Sequence, residues 1–197
     1  VAGVTLEKMP NDDSEWQLNG KDRAGKSGSV PVGVLQNMAG NAQLYRADLD
    51  RNGIQDLVIW RGISGNGLAP NAFLILMTFN QQGRPCVFQS DSFYTASETG
   101  IDDLLDLQRN GHTQLLDMQF DSGYWITSLY QVKDAKWQRV HGWFGKLSYP
   151  ALTRFTYTPN RKLVLKPIAG RDPQSEDLVL TQRCLIKGDV LDGVNQL

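Results

Sequence analysis

The feature that most constrains this chain is a run of oxygen-bearing side chains at residues 48–56. The run is Asp-x-Asp-x-Asn-Gly-x-x-Asp, and an apolar stretch follows it at once. Hard cations such as Ca2+ are bound by several oxygen atoms from carboxylates, amides and backbone carbonyls. Gly53 permits the left-handed turn that reverses such a loop. The pattern therefore predicts a metal site with these ligands: Asp48, Asp50, Asn52, the backbone carbonyl of Ile54, and Asp56.

The same residues also suit a plain surface turn. Asn-Gly is a common hairpin dipeptide and needs no metal. However, three carboxylates held this close repel one another unless something neutralises them. The sequence therefore favours the cation loop over the plain turn.

The loop differs from an EF-hand, in which the twelfth position is a bidentate Glu on an exiting helix. Counted from Asp48, that position is Ile59, and residues 57–60 are β-formers. A cation loop that leads directly into a strand resembles the FG-GAP and VCBS repeats, which form the blades of integrin-like β-propellers. The resemblance implies bound Ca2+ and a blade-like antiparallel unit.

A second copy of the loop begins 58 residues later. Residues 105–116 align with residues 47–58, and Arg-Asn-Gly is identical in both copies. The second copy keeps Asp106 and Asn110 but has Gln108 and Gln114 where the first has aspartates. Hard cations bind more weakly when the ligands carry less negative charge. We therefore expect the Asp106 loop to bind no ion or to bind one very weakly.

The repeat and the strand patterns predict a mainly β protein of two to three antiparallel blade-like repeats. We expect a single domain over residues 1–197, with repeat units at 42–98 and 100–145 and a C-terminal β extension at 150–197. At 58 residues per unit the chain holds about 3.4 units, fewer than the four blades of a typical small propeller. A partial β-propeller or an open β stack is therefore expected.

Two segments have local patterns that predict more specific structure. Residues 72–79 are almost continuously apolar, which predicts a strand buried on both faces. Residues 99–108 carry leucines and aspartates at spacings that allow either one or two helical turns or a solvated acidic turn.

The chain has two cysteines, Cys86 and Cys184. An even pair in a secreted chain suggests one disulfide, whereas two separate buried thiols remain the alternative. The chain starts at Val1, which suits either a mature protein without its signal or a trimmed chain. Calcium is plentiful outside the cytosol, and the sequence has no Asn-x-Ser/Thr sequon. We therefore expect a periplasmic or secreted bacterial protein.

Several partner classes are disfavoured. The formal net charge of −1 provides no basic surface for nucleic acid, and no apolar run has the length of a membrane span. Residues 20–27 match the phosphate-binding pattern G-x-x-x-x-G-K-[ST]. That pattern must open a helix, but glycines and a proline follow it here, so we interpret the match as a basic loop.

The sequence predicts a non-enzymatic, extracytoplasmic calcium-binding module with a structural or recognition role towards a protein or glycan. The alternative is a secreted carbohydrate-active enzyme or a glycan-binding accessory domain, for which two groups of residues are candidates. The carboxylates are Asp102, Asp103, Asp117 and Asp121. The aromatic residues, which suit a sugar-stacking face or a core stripe, are Tyr124, Trp125, Trp137, Trp143, Phe144 and Tyr149.

Overall fold

Antiparallel β-sheet dominates this protein, as the sequence predicts. The computed structural model describes residues 4–34, 42–64, 71–121, 124–157, 163–167, 181–186 and 189–191, and these include no helix. No apolar helix with the length of a membrane crossing occurs in this part of the chain. The mainly β class is therefore confirmed, in the form of several open antiparallel sheets.

The strands, in chain order, are β1 (Val4–Met9), β2 (Asp12–Lys21), β3 (Ser27–Val34), β4 (Ala42–Ala47), β5 (Asp56–Ser64), β6 (Asn71–Phe79), β7 (Pro85–Phe93), β8 (Ala96–Ser97), β9 (Gly100–Ile101), β10 (Leu104–Leu105), β11 (Gln114–Asp121), β12 (Tyr124–Lys133), β13 (Lys136–Arg139), β14 (Gly142–Phe144), β15 (Leu147–Tyr149), β16 (Ala151–Tyr157), β17 (Leu163–Pro167), β18 (Thr181–Ile186) and β19 (Asp189–Leu191).

Two four-stranded meanders organise the middle of the chain. The first unit is β4-β5-β6-β7, which belongs to a six-stranded sheet that β18 and β19 extend beyond β7. The second unit is β10-β11-β12-β13, in a sheet that also contains β16 and β17. Strand β12 pairs with β13 over one half of its length and with β16 over the other half. The two units contain the two copies of the loop at equivalent positions, before β5 and before β11.

The sheet of the first unit is the middle layer of the described fold. Successive side chains of β6 point to opposite faces, and both faces are buried, as predicted from its apolar run. Leu74 and Leu76 pack in a core with residues of β11, β12 and β13. Ile75 and Met77 pack in a second core with residues of β2 and β3. The loop before β5 is therefore held at the end of a sheet that is covered on both sides.

Of the two alternatives for residues 99–108, the helical turns are wrong. The segment forms the short strands β9 and β10 instead, and Leu104 pairs with Leu115. The solvated alternative is only partly right, because Asp102 is exposed but Asp103 is buried. The Asp103 carboxylate accepts a hydrogen bond from the Thr95 backbone amide at 2.7 Å. The Asp103 backbone carbonyl accepts one from the Leu116 amide at 2.9 Å. Pairing with the second unit thus overrides the local helical spacing.

The phosphate-binding pattern lies in the hairpin between β2 and β3, with no helix after it. Asp22 shapes this turn, because its Oδ1 accepts the amides of Ala24 at 2.9 Å and Lys26 at 3.0 Å. Its Oδ2 accepts the Arg84 Nε at 3.1 Å. The turn therefore lacks the helix N-terminus on which phosphate binding by this motif depends.

One disulfide involves the middle sheet. Cys86 on β7 is disulfide-bonded, and no described cysteine is free. In the backbone register of β7 and β18, Cys86 lies directly opposite Cys184, the other cysteine of the chain. This register suits the predicted Cys86–Cys184 bond and joins the C-terminal strands to the first unit. Apart from residue 150 and the strands β16 to β19, the predicted 150–197 extension is outside the described residues.

Candidate metal site

The first loop, residues 48–56, connects β4 to β5. Two residues adopt the left-handed conformation, Arg51 at φ 56° and Gly53 at φ 83°. A non-glycine residue in this region costs on the order of 1 kcal/mol, so other contacts must hold it there. Asp48 provides these contacts, because its Oδ1 accepts the backbone N–H of Asn52 at 3.0 Å and its Oδ2 accepts the backbone N–H of Gly53 at 2.9 Å.

Asp56 anchors the loop to the sheet. Its carboxylate is fully buried. One oxygen accepts the Leu49 amide at 2.9 Å, and the other accepts the Phe79 amide, also at 2.9 Å. Burial is the largest effect on this group and raises its pKa to about 7, against the opposing effect of the two amides. The negative charges of Asp50 and Asp48 raise the pKa further.

The three aspartates of the first loop converge on one point. One carboxylate oxygen from each of Asp48, Asp50 and Asp56 lies within 4.8 Å of the others. Within the described residues, no lysine or arginine forms an ion pair with any of them. This cluster can hold a metal ion, because an oxygen-only donor set of high negative charge is what hard cations require.

The hydrogen bonds leave these carboxylates able to bind a cation. Asp50 accepts the Asn52 amide on Oδ1 and the Ala135 amide on Oδ2, each at 3.3 Å. With the bonds to Asp48 and Asp56, each of the six carboxylate oxygens accepts one backbone amide. Because an ionised carboxylate has about four lone-pair sites, every oxygen retains capacity for a metal.

The remaining predicted ligands lie beside the cluster. The Asn52 Oδ1 accepts the backbone N–H of Ile54 at 2.8 Å, and the Asn52 Nδ2 donates to the backbone carbonyl of Phe79. Ile54 is buried against the core between the middle sheet and β1–β3. The structure thus brings the three aspartates together and places Asn52 and Ile54 in the same loop.

The second loop, residues 106–114, repeats two left-handed residues and three hydrogen bonds of the first. Arg109 and Gly111 repeat the left-handed residues, at φ 55° and φ 84°. The Asp106 carboxylate accepts the Asn110 amide at 3.0 Å and the Gly111 amide at 2.6 Å. The Asn110 Oδ1 accepts the His112 amide at 3.0 Å. Each of these bonds has its counterpart 58 residues earlier.

In the second loop, hydrogen bonds of two glutamine side chains take the place of metal coordination. The Gln114 Oε1 accepts the Leu107 amide at 2.9 Å, and its Nε2 donates to the His112 carbonyl at 2.8 Å. His112 occupies the position of Ile54, whose carbonyl is a predicted ligand in the first loop. The Gln108 Oε1 accepts the Asn110 Nδ2 at 3.0 Å. The Gln114 side chain thus has an amide nitrogen where Asp56 has its second carboxylate oxygen, which supports an empty or weak second site.

Sequence reasoning missed the contact between Asp50 and Ala135. A turn at residues 133–136 is evident from the sequence, but its neighbour in space is not. Ala135 is fully buried and left-handed at φ 65°. Its carbonyl also accepts the Thr78 hydroxyl. No local pattern carries this information, because Asp50 and Ala135 lie 85 positions apart.

Among the described side chains, the candidate sugar-binding carboxylates do not form a pair at a surface. Asp117 is fully buried and accepts the hydroxyls of Ser90, at 2.8 Å, and Tyr94. Burial raises the pKa of Asp117 above its usual range. Asp103 is buried and Asp102 is exposed, while the side chain of Asp121 lies outside those described.

The aromatic residues split between core and surface. Trp137 and Tyr149 are buried, and Trp125 packs on Phe93 with ring centroids 5.1 Å apart. Trp143 is 77% exposed on the β14–β15 hairpin. The described members therefore do not form one continuous stacking face, and the side chain of Tyr124 lies outside the described set.

The comparisons with known proteins assign no family. The sequence matches no protein-family model, and no curated protein or solved structure is significantly similar to it.

Proposed function

We propose that this chain is a Ca2+-stabilised, extracytoplasmic structural or recognition module and not an enzyme. One observation carries the proposal. Asp48, Asp50 and Asp56 converge in the first loop without a neutralising cation among the described side chains. The second loop repeats the left-handed residues and turn hydrogen bonds of the first, but glutamines replace two of the three acidic positions.

Calcium is the ion that this loop suits best. The donors are oxygen atoms, and they belong to a backbone loop and not to a rigid octahedral cage. Mg2+ retains several of its waters and demands near-ideal octahedral geometry, whereas Ca2+ accepts irregular shells of carboxylate and carbonyl oxygens. The predicted ligands Asp48, Asp50, Asn52, Ile54 and Asp56 are such a shell.

The location outside the cytoplasm is supported by two features. Disulfides persist in oxidising compartments, and Cys86 is disulfide-bonded. Ca2+ is also plentiful outside the cytosol, where a calcium loop of this type would be filled. In this proposal the ion fixes the β4–β5 connection and keeps the edge of the first unit in shape.

The blade-like interpretation remains part of the proposal. The two meanders, each with the loop before its second strand, support a resemblance to FG-GAP and VCBS repeats. We propose that the units present a surface for a protein or glycan ligand.

Thermal unfolding in EDTA, Ca2+ and Mg2+ tests the proposal. At one hundred times its dissociation constant an ion stabilises the native state by about 2.7 kcal/mol. For a chain of this size that corresponds to a rise of about 5–10 °C in Tm. We expect this rise with Ca2+ and a clearly smaller one with Mg2+.

A matched pair of variants locates the site. Asp48→Asn and Asp106→Asn make the same change at equivalent positions of the two loops. Asp48→Asn should abolish the Ca2+-dependent rise in Tm, and Asp106→Asn should leave it intact. Equal rises in both variants, or no rise in the wild type, would overturn the proposal.

A further inference from the structure

We infer that the cation in the first loop is also the switch that docks the second unit onto the first. This inference rests on the proposed function and adds a regulatory role to the same site. The relevant contacts join the first loop to two separate parts of the second unit, namely the second loop and the turn at residues 133–136.

The first contact lies between the two loops. The Leu49 carbonyl accepts the Thr113 amide at 2.9 Å. The side chain of Arg51 covers Gly111 so closely that a Cβ there would lie 1.4 Å from the Arg51 Nε. Glycine at 111 suits the left-handed turn, and the flexible end of the Arg51 side chain lies over it.

The second contact is the turn between β12 and β13, which we call the docked turn. Ala135 of this turn donates its amide to the Asp50 Oδ2 at 3.3 Å and receives the Thr78 hydroxyl on its carbonyl. Its side chain packs against Cys86. Asp134 and Ala135 are both left-handed, at φ 49° and φ 65°. The first unit thus holds from three sides a turn that is strained in isolation.

Asp50 links the ion to this turn. One of its oxygens faces its own loop, and the other holds the Ala135 amide. Without a cation, the charges of Asp48 and Asp56 repel Asp50, and the carboxylate gains by turning towards solvent. A bound cation reverses that preference and fixes Asp50 in the orientation that receives the docked turn. Binding and docking therefore stabilise each other, as linkage requires.

Residue-specific hydrogen exchange of the wild-type protein tests this coupling. The Ala135 amide is the reporter, and the Asn110 amide is the internal control, because it also bonds to a carboxylate but in the glutamine-completed loop. Exchange rates follow the free energy of local opening. We expect Ca2+ to slow exchange at Ala135 by about tenfold or more relative to EDTA, and to change Asn110 by less than about twofold.

A reciprocal experiment uses Thr78→Val, which removes the hydroxyl bonded to Ala135 and leaves every predicted ligand in place. Its Ca2+ affinity, measured by calorimetry, should fall by at least about fivefold. Ser90→Ala is the matched control, because it removes a buried hydroxyl from the adjacent strand without contacting the docked turn. Its affinity should equal that of the wild type.

The outcomes separate this inference from the proposed function. If calorimetry detects Ca2+ binding but Ala135 exchanges equally in Ca2+ and EDTA, the coupling is wrong and the calcium site stands. If the wild-type protein binds no Ca2+, both are wrong. The exchange measurement needs no variant, so a failure of Thr78→Val to fold leaves the test intact.

Discussion

Gln114 and Asp56 occupy equivalent positions in the two loops, and each accepts one cross-loop amide at 2.9 Å. They differ in what their second atom does. The Gln114 Nε2 donates to the His112 carbonyl, whereas the second Asp56 oxygen accepts the Phe79 amide. Gln114 therefore joins the two sides of its loop by a second hydrogen bond that it donates. Asp56 instead adds negative charge, which a cation would neutralise.

This difference predicts that the second site can be created. The double variant Gln108→Asp/Gln114→Asp should bind two Ca2+ ions by calorimetric titration, where the wild type binds one. In EDTA it should be less stable by about 1–3 kcal/mol, because the His112 carbonyl loses its donor. Gln138→Asp, an exposed change on β13, is the control and should leave one ion bound. A stoichiometry of one in the double variant would contradict this prediction.

The pKa of Asp56 predicts how the metal-free protein responds to pH. Its folded pKa of about 7 lies above its unfolded value of about 4, so the native state binds the proton more tightly. Stability must then fall as pH rises from about 4 to about 7, by on the order of 3 kcal/mol from this group. Asp103 and Asp117 act in the same direction, because burial raises the pKa of each.

Urea unfolding between pH 5 and pH 8 in metal-free buffer measures this slope. Saturating Ca2+ should flatten the contribution of Asp56, because the ion favours the ionised form. A stability that rises from pH 5 to pH 7 without metal would show that the Asp56 carboxylate is not destabilised by burial.

The disulfide predicts a large response to reduction. Since Cys86 and Cys184 are far apart in sequence, a bond between them constrains the unfolded chain by roughly 4–5 kcal/mol on the chain-entropy model. Reduction should lower the midpoint of urea unfolding accordingly. The double variant Cys86→Ala/Cys184→Ala should start from the lower value and show no response to the reductant. An equal response in both proteins would place the effect elsewhere.

Two tryptophans distinguish core from surface among the aromatic residues. Trp143 is 77% exposed, so Trp143→Ala should change the free energy of unfolding by less than about 0.5 kcal/mol. Trp137 is 2% exposed, so Trp137→Ala should lower the free energy of unfolding by about 3–5 kcal/mol.

A polysaccharide pull-down with both the wild type and Trp143→Ala tests the glycan alternative. Retention that depends on Trp143 would favour a glycan-binding module.

Local patterns predicted much of the strand structure. The β6 run was expected between residues 72 and 79 and occupies Asn71–Phe79. The side chains of residues 124–132 also alternate as in a strand, and β12 occupies Tyr124–Lys133. These predictions succeed because side-chain alternation and turn dipeptides act over a few residues. The helical alternative at residues 99–108 fails because β10 exists only through its pairing with β11.

The sequence by itself determined the two loops, the three acidic positions of the first and the glutamines of the second, because the hydrogen bonds that shape each turn, such as those accepted by Asp48 and Asp106, join residues of the same loop. The tertiary structure decided what surrounds them. Only the packing of the two units buries Asp117, separates Trp137 from Trp143, and places the Ala135 amide on Asp50. Such contacts join positions far apart in the chain, and they depend on which sheet faces pack together, which local propensity does not encode.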